Sequence, residues 1–340
     1  MYEKKNSLIA QEIELLIMKG TGLKSYPEAS VPLKSGKKLP KVNIRAVLYA
    51  MIACLFQIFG NVLKKWTPDV PVPQLLCIRS VYALIPITAM IIVKKQTREL
   101  RDTFTIPTFL VASTRALCNI CYFSALISLS GSEVVTILST NTLVVGFMAA
   151  IVLHEPYENI EKVLGLVSFG GVLIIVRPPF LFGTETPTSD VPEPELSRYV
   201  AGIITLLSVM FHAINVISIR AWKHKFPPWV MGFHIQFNPI IIFGLYILVT
   251  GSYQPMSLKE HWAVFLSGMC TLITIQCNVT AWQLEKPSVI AVVGYSGLLF
   301  SLVLDILLLG EIPSFLTCIG AALIVGSCLY IIKAKNSNKK

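Results

Sequence analysis

Charged side chains are scarce in this chain. They make up 14% of its 340 residues, while 54% are hydrophobic and the mean hydropathy is +0.67. A soluble domain carries roughly a quarter charged residues, so a soluble globular fold is excluded. Acids are scarcer than bases, 19 against 29. The bases sit in short clusters between apolar runs rather than along one face, which points to membrane topology and away from a nucleic-acid partner. There is no nucleotide-binding loop, no metal cluster of convincing spacing and no nucleophile with a placed base. These absences weigh against a pump or a membrane hydrolase, and neither enzymatic activity nor a cofactor is expected. No cleavable signal peptide is evident, because the early LLIM patch is short and follows Glu12 and Glu14. Cysteine is missing from the long connection. All eight cysteines fall in apolar runs, so no structural disulfide is expected. Cys118 and Cys121 read as small packing residues rather than a metal or redox pair.

What is present is a series of long apolar runs. A span needs about 20 mostly apolar residues, and on that rule ten are expected, near 45–63, 74–93, 106–128, 132–153, 161–176, 199–219, 229–250, 261–282, 288–309 and 314–332. Before them lies a basic tail, 1–42, in which Ile9, Ile13, Leu16 and Ile17 share one helical face, consistent with a surface-lying helix or a frayed tail. A long Pro-, Thr- and acid-rich connection divides the spans into two sets of five. The expected organisation is a cytosolic tail (1–42), a five-helix unit (43–177), a non-cytosolic linker (178–198), a second five-helix unit (199–333) and a short cytosolic end (334–340). With the N-terminus inside, 22 of the 29 Lys and Arg fall in cytosolic segments and five on the other face, leaving only Arg79 and Arg115 within spans. That bias puts both termini in the cytosol.

The two sets match at a constant shift of 156 residues. Trp66 and Pro71 match Trp222 and Pro227, Ala125 matches Ala281, Leu153 and Glu155 match Leu309 and Glu311, and Gly170 matches Gly326. Each set has an odd number of helices, so the second inserts upside down. An inverted repeat is the architecture of alternating access, with a solute site near the midplane between the halves.

The run ALISLSGSEVVTILSTNTLVVGFMAAIVLHEPYENIEKVLGLVSFGGVLIIVRPP resembles the later helices of an EamA-type repeat of the drug/metabolite transporter superfamily. AWQLEKPSVIAVVGYSGLLFSLVLDILLLGEIPSFLTCIGAALIVGSCLYIIK is similar to the same helices of a second copy. The carrying features are AL before a short turn, LxE closing the fourth and ninth helices, and the small-residue GG or GS helix that follows. Arg79 in QLLCIRS and Arg115 in STRAL also resemble the group-G-like members of solute carrier family 35. The resemblance implies an all-α integral membrane bundle of ten transmembrane helices as two inverted five-helix repeats. It further implies a central cavity lined by helices one to four and six to nine, with five and ten peripheral. The second copy has Ile235 and Thr271 where the first has the arginines.

An arginine near the centre of a span costs roughly 2.5–3.5 kcal/mol on insertion scales, so it survives mainly against protein or a wet cavity. Arg115 lies about 14 Å along its helix, close to the midplane. Asn119 and Tyr122 follow at i+4 and i+7 on its face. The repeat puts Thr271 and Asn278 on the matching face of the eighth helix. Other polar span residues are Gln57 and Asn61, a stripe of Thr205, Ser208, His212 and Asn215, the pair His234 and Asn238, and Ser139 and Thr140 matching Tyr295 and Ser296. Arg115 either binds an anionic group or gates the cavity, or else ties helix-end carbonyls or a neighbouring acid. Arg79 is a second anion contact or an outer gate, being close enough to the surface to snorkel. Asn119, Tyr122, Asn278, Tyr295, His212 and Asn215 are expected to shape the pocket. His212 and His234 read first as packing histidines. Asp305 is a rival coupling group, and Glu155 and Glu311 read as turn and cap residues. Ala322 and Gly326 have the spacing of a close helix approach, read first as packing within the molecule and alternatively as a dimer face.

The expected function is secondary transport of a small polar, anionic organic metabolite. The expected partners are that small-molecule solute and membrane lipid, with a homodimer through the peripheral helices left open. A nucleotide-sugar or cation carrier of an internal membrane is the rival within transport, and a non-transporting membrane regulator is the rival outside it.

Overall fold

In hydrocarbon every backbone N–H and C=O has to be bonded within the chain, which favours helices wherever the run is continuous. A computed structural model of the protein describes residues 42–63, 67, 69–125, 128–129, 131–177, 181, 198–309 and 315–337. The tail helix expected in 1–41, Trp66, the 182–197 stretch, Glu311 and the side chain of Asp305 lie outside the described residues.

The first half is built from α1 (Ile44–Leu63), α2 (Val72–Val93), the short α3 (Thr97–Asp102), α4 (Ile106–Ala125), α5 (Gly131–Ser139), α6 (Asn141–Val152) and α7 (Asn159–Val176). The second comprises α8 (Arg198–Ala221), α9 (Pro228–Thr250), α10 (Leu258–Leu284), α11 (Pro287–Gly294), α12 (Ser296–Leu309) and α13 (Phe315–Ser337). Among the described residues, nine helical stretches are long and apolar enough to cross a bilayer, with α5 and α6 together counting as one. The shorter apolar stretch Pro287–Val303, in α11 and α12, supplies the tenth element of an all-α membrane fold.

Two spans expected as continuous helices are broken instead, and at matching places. The fourth breaks at Thr140 and the ninth at Tyr295. The cause is local. The Ser139 and Thr140 hydroxyls donate to the carbonyls of Thr136 and Ile137 at 2.6 and 2.7 Å, competing with the backbone ladder. Gly294 and Gly297 flank the second break and weaken the helix there. The KKQTRELR connection also gains a helical turn, α3, that hydropathy alone did not suggest.

Packing follows the repeat. α1 lies against α10 and α8 against α4, so the first helix of each half packs on the third spanning helix of the other. α2 pairs with its mate α9, and α7 with its mate α13. Without a hydrophobic driving force in lipid, close backbone approach has to supply much of the attraction. The α7–α13 pair achieves it at Gly171 and Gly320: a Cβ on Gly320 would sit 2.6 Å from the Gly171 carbonyl oxygen. This corrects the reading of Ala322 and Gly326 as packing within the molecule. Both are exposed, and a Cβ on Gly326 would meet nothing within 4 Å. Only 22% of the α13 span is buried, against 44% for each of α8, α9 and α10, so α13 is peripheral.

Candidate functional site: two stacked cavities

Polar groups line two cavities, one above the other along α1 and α10. The smaller, about 20 Å³, takes Gln57, Gly60 and Asn61 from α1, Arg79 and Ser80 from α2, and Arg115 and Asn119 from α4. α9 adds Gln236 and Pro239, and α10 adds Thr271 and Thr274. Pro239 lies inside α9 and removes the helical bond to the Ile235 carbonyl, loosening the wall at the cavity. Two arginines therefore line a space with room for about one water. Among the described residues no carboxylate lines it, and Arg79 Nε is buried without a hydrogen-bond partner.

The arginines are held from behind. Ser113, two residues before Arg115, donates to Asn238 Oδ1 at 2.8 Å; Asn238 Nδ2 donates to the His234 carbonyl at 3.0 Å, and His234 Nε2 meets Thr103 Oγ1 at 2.9 Å. His234 is thus a packing histidine joining α9 to the chain after α3. Arg79 rides on a close contact between α2 and α10. A Cβ on Gly268 would come within 3.0 Å of the Arg79 carbonyl oxygen and 2.8 Å of Tyr82 Cβ. Gly268→Val is accordingly expected to push α2 off α10, lowering the melting temperature and anion binding together. Gly202→Val is the comparison, since a Cβ at Gly202 meets nothing within 4 Å. Arg79, expected as a second anion contact or an outer gate, lines the same cavity as Arg115.

The larger cavity, about 310 Å³, lies between the two broken spans. Ser139, Asn141 and Thr142 enter from the first break, and Ala291, Gly294 and Tyr295 from the second, with His212, Asn278 and Trp282 on its sides. The Tyr295 hydroxyl donates to the Ser139 carbonyl at 2.6 Å, between residues at the same position in the two copies. His212 Nδ1 lies 3.1 Å from Asn141 Oδ1, and its ring meets Trp282 edge-on at 5.9 Å. Thr142 donates to the Ala291 carbonyl at 3.2 Å.

The expected pocket residues therefore divide. Arg79, Arg115 and Asn119 meet in the small cavity, and His212, Asn278 and Tyr295 in the large one, while Tyr122 and Asn215 line neither. Tyr122 packs near Ala125, Leu129 and Ala201, its ring 4.9 Å from that of Phe123. Asn215 is buried and donates to the Val111 carbonyl at 3.4 Å. Residues missed from sequence include Gln236, Asn141 and Trp282. Of these, Asn141 was the most visible, directly after the Ser139–Thr140 pair.

Beyond the large cavity the two halves are tied by charge. Arg220, at the end of α8, pairs with Glu155 at 2.9 Å and donates to the Gln283 carbonyl at 2.8 Å. Lys286 lies 3.3 Å from Glu158 and 4.0 Å from Glu161, and Ser288 donates to Glu161 at 2.8 Å. Glu155, expected as a turn or cap residue, is an ion-pair partner across the repeat. Burial and the Arg220 charge push the neighbouring Lys223 ammonium below its ordinary range, with Glu155 acting the other way.

A helical membrane bundle made of two five-span copies, with polar cavities where the copies meet, defines a class of inverted-repeat membrane proteins. The model of the EamA-like transporter family matches residues 44–177 and again 200–333, and the chain belongs to that family. It is similar to "Probable transport protein YPL264C" of Saccharomyces cerevisiae, 29% identical over 64% of this chain and 64% of that protein. It is also similar to solute carrier family 35 member G1 of Homo sapiens, at 24% identity over 86% of this chain and 79% of that one. The pseudopaline exporter CntI of Pseudomonas aeruginosa is 23% identical over 85% of this chain and 96% of the exporter. The chain spans less than two thirds of the two yeast relatives it matches, 64% and 55% of their lengths. A solved crystal structure aligns with a TM-score of 0.72 over 88% of this chain and all of that one, at 18% identity, a likeness of fold.

Proposed function

We propose that the protein is a secondary transporter that moves a small organic anion by alternating access of its two halves around the stacked cavities. The observation that carries this is the pair Arg79 and Arg115 sharing a cavity with no carboxylate among the described lining residues. Two guanidiniums held together without a counter-charge favour an anion entering between them. Asn119, Gln57, Asn61 and Gln236 supply the surrounding hydrogen bonds, and His212, Asn278 and Tyr295 line the path beyond. Family membership supports transport as the activity. The name of the Pseudomonas relative, an exporter of pseudopaline, supports an organic cargo. In this reading residues 43–177 and 199–333 are the two moving units, both termini are cytosolic, and the Arg220–Glu155 tie closes the cytosolic side.

The test is counterflow in proteoliposomes containing the full chain, with labelled organic anions, neutral solutes and cations compared at one concentration. Saturable counterflow of an anion, and of no cation, is the expected result. Exchange of cations alone, or no exchange of any solute, would overturn the proposal.

A further inference from the structure

The two cavities offer a ligand different chemistry, and their placement lets one molecule use both. On α1, Cys54 lines the large cavity and Gln57 the small one. On α10, Ile275 lines the small cavity and Asn278 the large one. Each step is three residues, about 4.5 Å along a helix, so the cavities lie roughly one turn apart.

Positive charge is confined to the small space. Its unsatisfied groups, Arg79 Nε and Gln236 Nε2, are donors. The large cavity has polar side chains too, but most are already engaged with protein: Tyr295 with the Ser139 carbonyl, Thr142 with the Ala291 carbonyl, and His212 with Asn141. A hydroxyl whose O–H is spent on a backbone carbonyl can still accept, but it has no donor left for a carboxylate. Asn278, Asn141 Nδ2, the Trp282 indole N–H and the second ring nitrogen of His212 are left to bond uncharged polar groups. The remaining wall is apolar, with Val135, Leu138, Val145, Val216 and Ile290 around the Trp282 ring. A volume of about 310 Å³ holds on the order of ten non-hydrogen atoms, taking about 30 Å³ as the liquid-volume share of a water-sized group.

We infer that the solute is an amphipathic monoanion: a ring-sized body carrying only neutral hydrogen-bonding groups in the large cavity, and one compact carboxylate head directed from there at Arg79 and Arg115. This rests on the anion-transport reading above and narrows its substrate class. It predicts rejection of a solute charged at both ends, because a second carboxylate would enter a site with no cation to meet it and would lose its hydration.

The experiment is calorimetric titration of the purified full-length protein with four probes. They are 3-(4-hydroxyphenyl)propionate, acetate, succinate and the uncharged 3-(4-hydroxyphenyl)propanamide. The ring acid is expected to bind at least about tenfold more tightly than each of the other three, since ring burial and the charged head act together. Ala291→Leu, which fills the large cavity, is expected to reduce the preference over acetate to less than about threefold. The wild-type order decides the matter if that variant does not fold. Succinate or acetate binding as tightly as the ring acid would overturn the amphipathic assignment while leaving the anion reading intact. An amide equal to the acid would overturn the anion reading itself. Failure of all three anions to bind at millimolar concentration would overturn both.

Discussion

Arg115→Gln is expected to lower organic-anion counterflow by at least about 30-fold while the protein still folds and inserts. Removing one partner of a desolvated, hydrogen-bonded charge pair costs 2–5 kcal/mol, and the lower bound corresponds to about that factor. The loss falls on binding because Arg115 has no carboxylate among the described cavity residues that its removal would strand. Replacing an uncompensated cation beside Arg79 by a neutral amide removes a like-charge repulsion, so the melting temperature is expected to hold or rise. Arg115→Lys keeps the charge but not the planar fork and should recover only part of the flux. Counterflow and thermal melting measured on the same preparations separate the outcomes. Unchanged flux in the glutamine variant, or a fall in stability that tracks the fall in flux, would make Arg115 a structural tie instead.

Arg220→Ala is expected to act the opposite way, on stability first. The guanidinium bonds Glu155 at 2.9 Å and the Gln283 carbonyl at 2.8 Å, with both side chains mostly buried. Its loss strands a carboxylate and a helix-end carbonyl together. Breaking such a pair from one side costs about 3 kcal/mol, whereas replacing both partners by apolar groups is often close to neutral. The double variant Glu155→Met, Arg220→Met should therefore recover most of the stability lost by the single one. Equilibrium unfolding in detergent checks this, and a double variant as unstable as Arg220→Ala would show that Arg220 acts through the α10 carbonyls alone. Arg220→Ala should also increase labelling of a cysteine placed at Ala291 from the Arg220 side, if this tie closes that side of the cavity.

The sequence made the spans and their repeat legible because both depend on averages: hydropathy over twenty residues and a register held over a hundred. It made the buried arginines visible for a similar reason, since a charge in an apolar run stands out against its neighbours. What it hid depends on single contacts. Tyr122 shares the helical face of Arg115 but lies two turns further on, where Leu129 and Ala201 close around it. Asn215 follows His212 on the same stripe, yet its amide is turned to the Val111 carbonyl of α4. Arg79 looked free to snorkel because its distance from the helix start was known and the approach of α10 at Gly268 was not. The breaks at Thr140 and Tyr295 were hidden by averaging itself, because a residue or two of irregular backbone leaves a hydropathy profile unchanged.

The bond from Tyr295 to the Ser139 carbonyl joins a position to its own counterpart, so it straddles the axis that exchanges the halves. Were the copies identical, that exchange would convert an opening toward one side into an equal opening toward the other, and the two would be populated alike. Each mismatch between copies therefore acts as a weight on one arm of a balance. Tyr295 against Ser139, Arg79 against Ile235 and Arg115 against Thr271 are such weights. An imbalance of only about 1.4 kcal/mol would tilt the populations tenfold. On the alternating-access reading, the side on which this protein waits for its solute is set by the sum of such mismatches.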